Sequence, residues 1–134
     1  MDVLLLVGAG QIGMAIARRM GTGKQIVVGD KRLGNAQTVA ETLTNAGFHA
    51  VATEIDLASR ESIQRYIAMA QTFGDITMLV NAAGVSPSQA PIETILRVDL
   101  YGTAVLLEEV GKVIRTGGTG VTISSQSGHR MPAL

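Results

Sequence analysis

The stretch Val3-Leu4-Leu5-Leu6-Val7-Gly8-Ala9-Gly10-Gln11-Ile12-Gly13 decides the reading of this chain of 134 residues. Five aliphatic residues in a row suit a strand buried on both faces, and the Gly-x-Gly-x-x-Gly that follows leads into a helical pattern from Gly10 to Met20. In such a turn each glycine has a separate use. Gly8 allows the tight turn, Gly10 lets backbone approach a pyrophosphate without a Cβ in the way, and Gly13 allows helix to pack closely on strand. The free N–H groups and partial positive charge of the helix start complete an anion site, to which Gln11 and Ile12 contribute backbone. About 20 residues on, at the end of the next apolar run, stands Asp30. Strand, glycine turn, helix and acid together point to an adenine dinucleotide, because a carboxylate there can accept from both ribose hydroxyls. It also repels a 2′-phosphate by an amount on the order of a few kcal/mol at about 4 Å, so NAD is favoured over NADP. Lys31 and Arg32 follow, either as a solvated basic turn or as partners for such a phosphate.

Outward from this motif, short apolar runs alternate with segments of helical period. Gln25 to Gly29 reads as a second strand, and Leu33 to Ala46 as a helix that Gly47 stops. Phe48 to Ile55 is a third strand. Ser59 can cap a helix with Ile63, Tyr66, Ile67 and Ala70 on one face, ended by Gly74. Ile76 to Val80 is a fourth strand, and Gly84 to Pro91 a loop, since Pro87 and Pro91 oppose regular structure. A long helix runs from about Ile92 to Arg115, and Gly117 to Gly120 lead into a fifth strand, Val121 to Ser124. Right-handed crossovers then give an α/β, doubly wound parallel sheet of the Rossmann type, with strand order 3-2-1-4-5 in one domain over residues 1–134.

Composition excludes several classes of function. With 11 basic and 11 acidic side chains the formal charge is +0, which gives no electrostatic case for nucleic acid or an anionic membrane. The chain has no cysteine, so disulfides, thiol catalysis and thiolate metal sites are excluded. His49 and His129 are far apart and have no companions at ligand spacing, so no metal site is expected. The first apolar run is too short to span a membrane, and a cytoplasmic protein is expected.

Three later motifs, each leaving the end of a strand, carry a resemblance. Asp56-Leu57 follows the third strand, Asn81-Ala82-Ala83-Gly84 the fourth, and Ser124-Ser125 ends the fifth. In order and placement they resemble the short-chain dehydrogenases/reductases over the whole chain. The resemblance implies that Asp56 and Leu57 line the adenine pocket and that Asn81 to Gly84 form the turn beside the adenosine ribose. It also implies that Ser125 hydrogen-bonds a carbonyl or hydroxyl of a small-molecule substrate. The expected activity is that of an oxidoreductase moving hydride between a nicotinamide cofactor and a carbonyl or secondary alcohol.

The sequence departs from the family pattern in three places. The glycine turn is one residue shorter than usual. Asp99, in Val98-Asp99-Leu100-Tyr101-Gly102, stands where members carry an asparagine that holds a water in a proton relay. It reads equally as a relay carboxylate or as a capping or interface carboxylate within the helix. The third departure is the absence of the family's Tyr-x-x-x-Lys pair, which the resemblance places shortly after Leu134. Tyr66 is followed four residues later by Ala70 and Tyr101 by Val105, so neither replaces it. The 134 residues therefore read as truncated before that helix and inactive alone, within a longer enzyme. The alternative is a non-catalytic dinucleotide-binding or redox-sensing module. Ile95, Leu106, Val110, Val113 and Ile114 read as a stripe lacking a partner, a hint of self-association through the fourth helix. Met14, Met20, Met69 and Met78 read as core filler.

Overall fold

A computed structural model describes residues 2–82, 92–114 and 118–122, with backbone alone for 92–101 and 119–122. Strand β1 (Asp2–Val7) lies at the centre of the sheet, where the aliphatic run from Val3 to Val7 is at most 1% exposed. On one side it pairs in parallel with β2 (Lys24–Asp30), which pairs with β3 (His49–Glu54). On the other side it pairs with β4 (Ile76–Asn81), and β4 with β5 (Thr119–Thr122). The order β3-β2-β1-β4-β5 is the one expected of a doubly wound Rossmann sheet. The fifth strand starts two residues earlier than its apolar pattern indicates, because its register on β4 begins at Thr119 opposite Met78.

Helices α1 (Gln11–Met20) and α2 (Leu33–Asn45) cover one face of this sheet. Their core joins Leu4, Leu6, Ala17, Ile26, Val28, Ala36, Leu43 and Val80. Helix α2 ends as the sequence indicates. Gly47, at φ +97°, donates to Thr44 O, and Phe48 N–H returns to Leu43 O at 3.0 Å, closing the last turn with two of the otherwise orphaned carbonyls. On the other face lie α3 (Arg60–Gln71) and α4 (Ile92–Gly111). The Ser59 side chain accepts from Ser62 N–H and so caps α3. Met20 departs from expectation: it is 42% exposed on the last turn of α1, whereas Met78 is 5% exposed in the core.

A register slip in β4 sorts side chains between the two layers. Val3 stands opposite Ile76 but Leu4 opposite Met78, so Thr77 has no counterpart on β1. Without the slip, Ile76 and Met78 would share a face. With it, Ile76 and Leu79 both join the α3–α4 core while Met78 and Val80 join the α1–α2 core. The Thr77 hydroxyl is buried, with no partner among the described residues.

The fourth helix is shorter than its apolar pattern suggests. Beyond Gly111 the chain turns, with Val113 N–H and Ile114 N–H both donating to Val110 O at 3.0 and 2.8 Å. The expected stripe in search of a partner also needs correction. Leu106 and Val110 are 0% and 2% exposed within the α3–α4 core, and Val113 and Ile114 pack against it beside Ile63, Tyr66 and Ile67. These residues bury against the chain's own third helix and sheet, so they give no support to self-association. The Ile95 side chain is outside the described residues.

Polar contacts fix α4 to α3. Glu109, 7% exposed, meets the Arg60 guanidinium at 2.9 Å, the Lys112 ammonium at 2.8 Å and the Gln64 amide at 2.9 Å. The hydrogen bonds from Lys112 and then Gln64, with the two cationic charges, hold its carboxyl below the usual carboxylate range against the opposing effect of burial. A depressed folded-state value adds stability that is present above the unfolded value and is lost as pH falls through the folded one. Glu109→Gln should therefore destabilise the protein at neutral pH in denaturant titrations. The gap from the unsubstituted protein should close on acidification below the ordinary carboxylate range; a gap constant with pH would contradict the assignment.

Candidate cofactor site

Because all five strands are parallel, the segments leaving β1, β2, β3 and β4 emerge at one edge of the sheet. The order reverses between β1 and β4, which opens a crevice at that edge. Gly8 makes the turn out of β1 with φ +100°, a conformation that side chains rarely adopt, and its N–H donates to Gly29 O at 2.7 Å. Gly13 is buried one turn into α1. A Cβ there would come within 2.9 Å of the Ala82 Cβ and 3.0 Å of the Leu6 side chain. Helix α1 can approach β1 and β4 this closely only because that carbon is missing.

Gly10 differs from both. It caps α1 in extended conformation (φ −85°, ψ 166°), and a Cβ built on it meets nothing within 4 Å. Among the described residues nothing occupies the space in front of it. Met14 N–H is the first in α1 to find an intrahelical carbonyl, that of Gly10, at 3.1 Å. The N–H groups of Gln11, Ile12 and Gly13 have no acceptor among the described residues, as helix geometry dictates for a first turn without a side-chain cap. The Gln11 and Ile12 side chains are exposed, Ile12 by 51%, an unusual position for a branched aliphatic group. The first turn carries no acidic residue, so the positive end of the helix is left uncompensated.

Asp30, half-buried at the end of β2, accepts Ala9 N–H on Oδ1 at 3.2 Å and Arg32 N–H on Oδ2 at 2.9 Å. Lys31 and Arg32 are exposed, and their side chains have no partner among the described residues. After β3, Asp56 organises its own turn. Its Oδ1 accepts from Ala58 N–H at 2.9 Å, and its N–H donates to the Ser62 hydroxyl at 2.8 Å. Leu57 presses on α4 where Gly102 gives it room; a Cβ on Gly102 would lie 2.7 Å from the Leu57 Cβ. The sequence signal for that approach is a glycine inside a helical pattern, and reading the helix by its apolar period alone misses it.

Asn81 is 1% exposed and its amide donates to the Thr103 hydroxyl on α4 at 3.3 Å. That side chain is turned into the protein and joins the sheet edge to the fourth helix. Ala82, 4% exposed, extends the ladder through its N–H to Val7 O at 2.8 Å. Ala83, Gly84 and Ser125 lie outside the described residues. Asp99 lies on α4, its side chain likewise outside them. Tyr66, which has no lysine one turn on, is a core residue. Its hydroxyl donates to Val27 O at 2.7 Å, its ring fills the space beside Gly29, and burial pushes its phenol up, away from any proton exchange near neutrality.

A separate cavity of about 240 Å³ lies at the opposite edge of the sheet, between Gly21–Lys24 and Ala46–His49. Its one ammonium, on Lys24, is spent on Met20 O at 2.9 Å. Among the described residues no helix is long and apolar enough to cross a membrane.

Comparison with known proteins agrees with this geometry. The family model for short chain dehydrogenase matches residues 2–133. The chain is 38% identical over 130 residues to the short-chain dehydrogenase/reductase bsc3 of Alternaria brassicicola, covering 97% of this chain and 47% of that protein. It is 34% identical over 144 residues to D-threitol dehydrogenase of Mycolicibacterium smegmatis, covering 98% and 55%. Among solved structures, a short-chain dehydrogenase/reductase of Serratia marcescens superposes with a TM-score of 0.78 at 25% identity, covering 98% of this chain and 58% of that one. The chain thus spans about half the length of the curated relatives it matches. From the sheet order, the glycine turn and a family match over nearly the whole of its length, the chain belongs to the short chain dehydrogenase family.

Proposed function

We propose that the sheet edge built by Gly8 to Gly13, Asp30 and Asp56 holds NAD for hydride transfer between a carbonyl and a secondary alcohol of a small molecule. Nicotinamide cofactors are those the family uses. The observation that carries the reading is the pairing of open space at Gly10 with three backbone N–H groups that have no acceptor among the described residues. Such a cradle fits a pyrophosphate: the donors are preformed, the helix end is positive, and no described residue has to move to admit phosphate oxygens. Gln11, Ile12 and Gly13 offer the N–H groups, and Gly10 the close approach. Asp30 accepts from the ribose hydroxyls with the lone pairs its two backbone partners leave free. Asp56 and Leu57 flank the adenine, and Ala82, Ala83 and Gly84 complete the turn near the ribose, with Asn81 holding that turn to α4.

When bound, the cofactor supplies or receives the hydride. In this reading Ser125 hydrogen-bonds the substrate oxygen, and Asp99 holds a water of the proton path. Residues 1–134 act in this reading as the dinucleotide-binding domain, and the tyrosine and lysine of the family pattern are not among them. A non-catalytic module has no observation in its favour among the described residues.

Two measurements test the site. Gly10→Val should remain folded with a midpoint lowered slightly by the poorer helix cap, since the extended backbone and the free Cβ position admit a side chain. It should lose NAD affinity on the order of 100-fold, about 2.7 kcal/mol, in titration calorimetry. Unchanged NAD binding by a folded Gly10→Val protein would refute the site. In the unsubstituted protein NAD should bind at least about tenfold more tightly than NADP, because the Asp30 carboxylate faces the 2′ position. Equal or tighter NADP binding would assign Lys31 and Arg32 to the phosphate instead.

A further inference from the structure

We propose that Asp30 is also a positioning residue of the phosphate site, its carboxylate holding the glycine turn in the shape that receives phosphate. The proposal rests on the dinucleotide reading above and adds a second task to a residue otherwise assigned to the ribose. The geometry is that of a strut. Ala9 lies between two glycines, Gly8 at φ +100° and Gly10 at the helix cap, so both flanking residues lack the Cβ that would restrict them. Backbone contacts hold this turn at Gly8, through Gly29 O, and again at Met14, through Gly10 O. Between those points the described hydrogen bond from the rest of the molecule is Ala9 N–H to Asp30 Oδ1 at 3.2 Å, while the Ala9 methyl packs against the α1–α2 core and Gly13 against Leu6 and Ala82.

Asp30 is well placed to bear on that turn because it is itself held on both sides. Its carbonyl accepts Ile55 N–H at 3.0 Å, and its second carboxylate oxygen accepts Arg32 N–H at 2.9 Å. The side chain is therefore anchored between the β2 exit and the start of α2, and it transmits their position to Ala9. Hydrogen bonds to a carboxylate are stronger than neutral ones, and packing of the Ala9 methyl does not fix the direction of its N–H, so this hydrogen bond bears on the orientation of the peptide in a segment of glycines.

The strut makes a prediction opposite in sign to the obvious electrostatic one. A carboxylate near an anion site repels the anion, and removing it should tighten phosphate binding. If the carboxylate orders the turn, removing it should weaken phosphate binding even for a ligand that has no ribose hydroxyls to offer. ADP and 2′,3′-dideoxy-ADP separate the two roles. In the intact protein, Asp30→Ala should weaken dideoxy-ADP binding about tenfold, and Asp30→Asn, which keeps one acceptor oxygen, by less. ADP should lose more than dideoxy-ADP in both variants. In the ligand-free protein the Ala9 amide should be protected from hydrogen exchange, and in Asp30→Ala its exchange should accelerate about tenfold while Leu5 in β1 is unchanged. Dideoxy-ADP bound as tightly or more tightly by the variants overturns the strut and leaves the cofactor site standing. Failure of the unsubstituted protein to bind ADP overturns both. Should neither variant fold, a rapidly exchanging Ala9 amide in the unsubstituted protein overturns the proposal by itself.

Discussion

The structure depends on the double pairing of β1. Its backbone is bonded to β2 on one side and β4 on the other, and its side chains are buried on both faces. Polar side chains buried on either face would need partners there, and Val3 to Val7 are aliphatic without exception. Both neighbours run parallel to it, so the chain leaves β1, β2 and β4 in the same direction. The glycine turn, Asp30 and the β4 exit are neighbours for that reason, although they are far apart in sequence. The crossover helices required by parallel strands then cover the two faces, and their N-termini return to the functional edge.

Two local devices make this arrangement usable. The register slip at Thr77 lets one strand supply Ile76 and Leu79 to the α3–α4 core and Met78 and Val80 to the α1–α2 core. It leaves Asn81 facing α4, where its amide ties the sheet edge to Thr103. The second device is the use of missing side chains at contact points. Gly13 brings α1 onto Leu6 and Ala82, Gly29 accommodates the Tyr66 ring, and Gly102 accepts Leu57. Each sets a distance between layers near the exits of the strands, so the positions of the site residues are consequences of close packing, which tolerates little change in volume.

Much of the fold is legible in the sequence because its signals are local and periodic. The aliphatic runs, the glycine stops and the Ser59 cap each act within a few residues of where they stand, and strand order follows from crossover handedness. What is not legible depends on distant partners. The apolar pattern carries on through Val113 and Ile114, and only the turn after Gly111 shows that they fold back on the core instead of extending α4. The buried Glu109 cluster joins Arg60 and Gln64 across 49 and 45 residues, a spacing with no signature in sequence. Met20 reads as apolar filler until the end of α1 is seen at the surface. At the site, the glycines and Asp30 are recognisable by spacing, but the inward turn of Asn81 and the contact of Asp30 with Ala9 belong to the assembled edge.

Everything above turns on whether this edge of the sheet receives a dinucleotide at the start of α1. The most direct measurement is a backbone amide map of the isotopically labelled protein titrated with NAD. The largest shifts should fall at Gly8 to Gly13, with further shifts at Asp30 to Arg32 and at Asp56 and Leu57, and little change at Gly21 to Lys24 and Ala46 to His49. Shifts centred on that opposite edge, or none at saturating NAD, would contradict that placement.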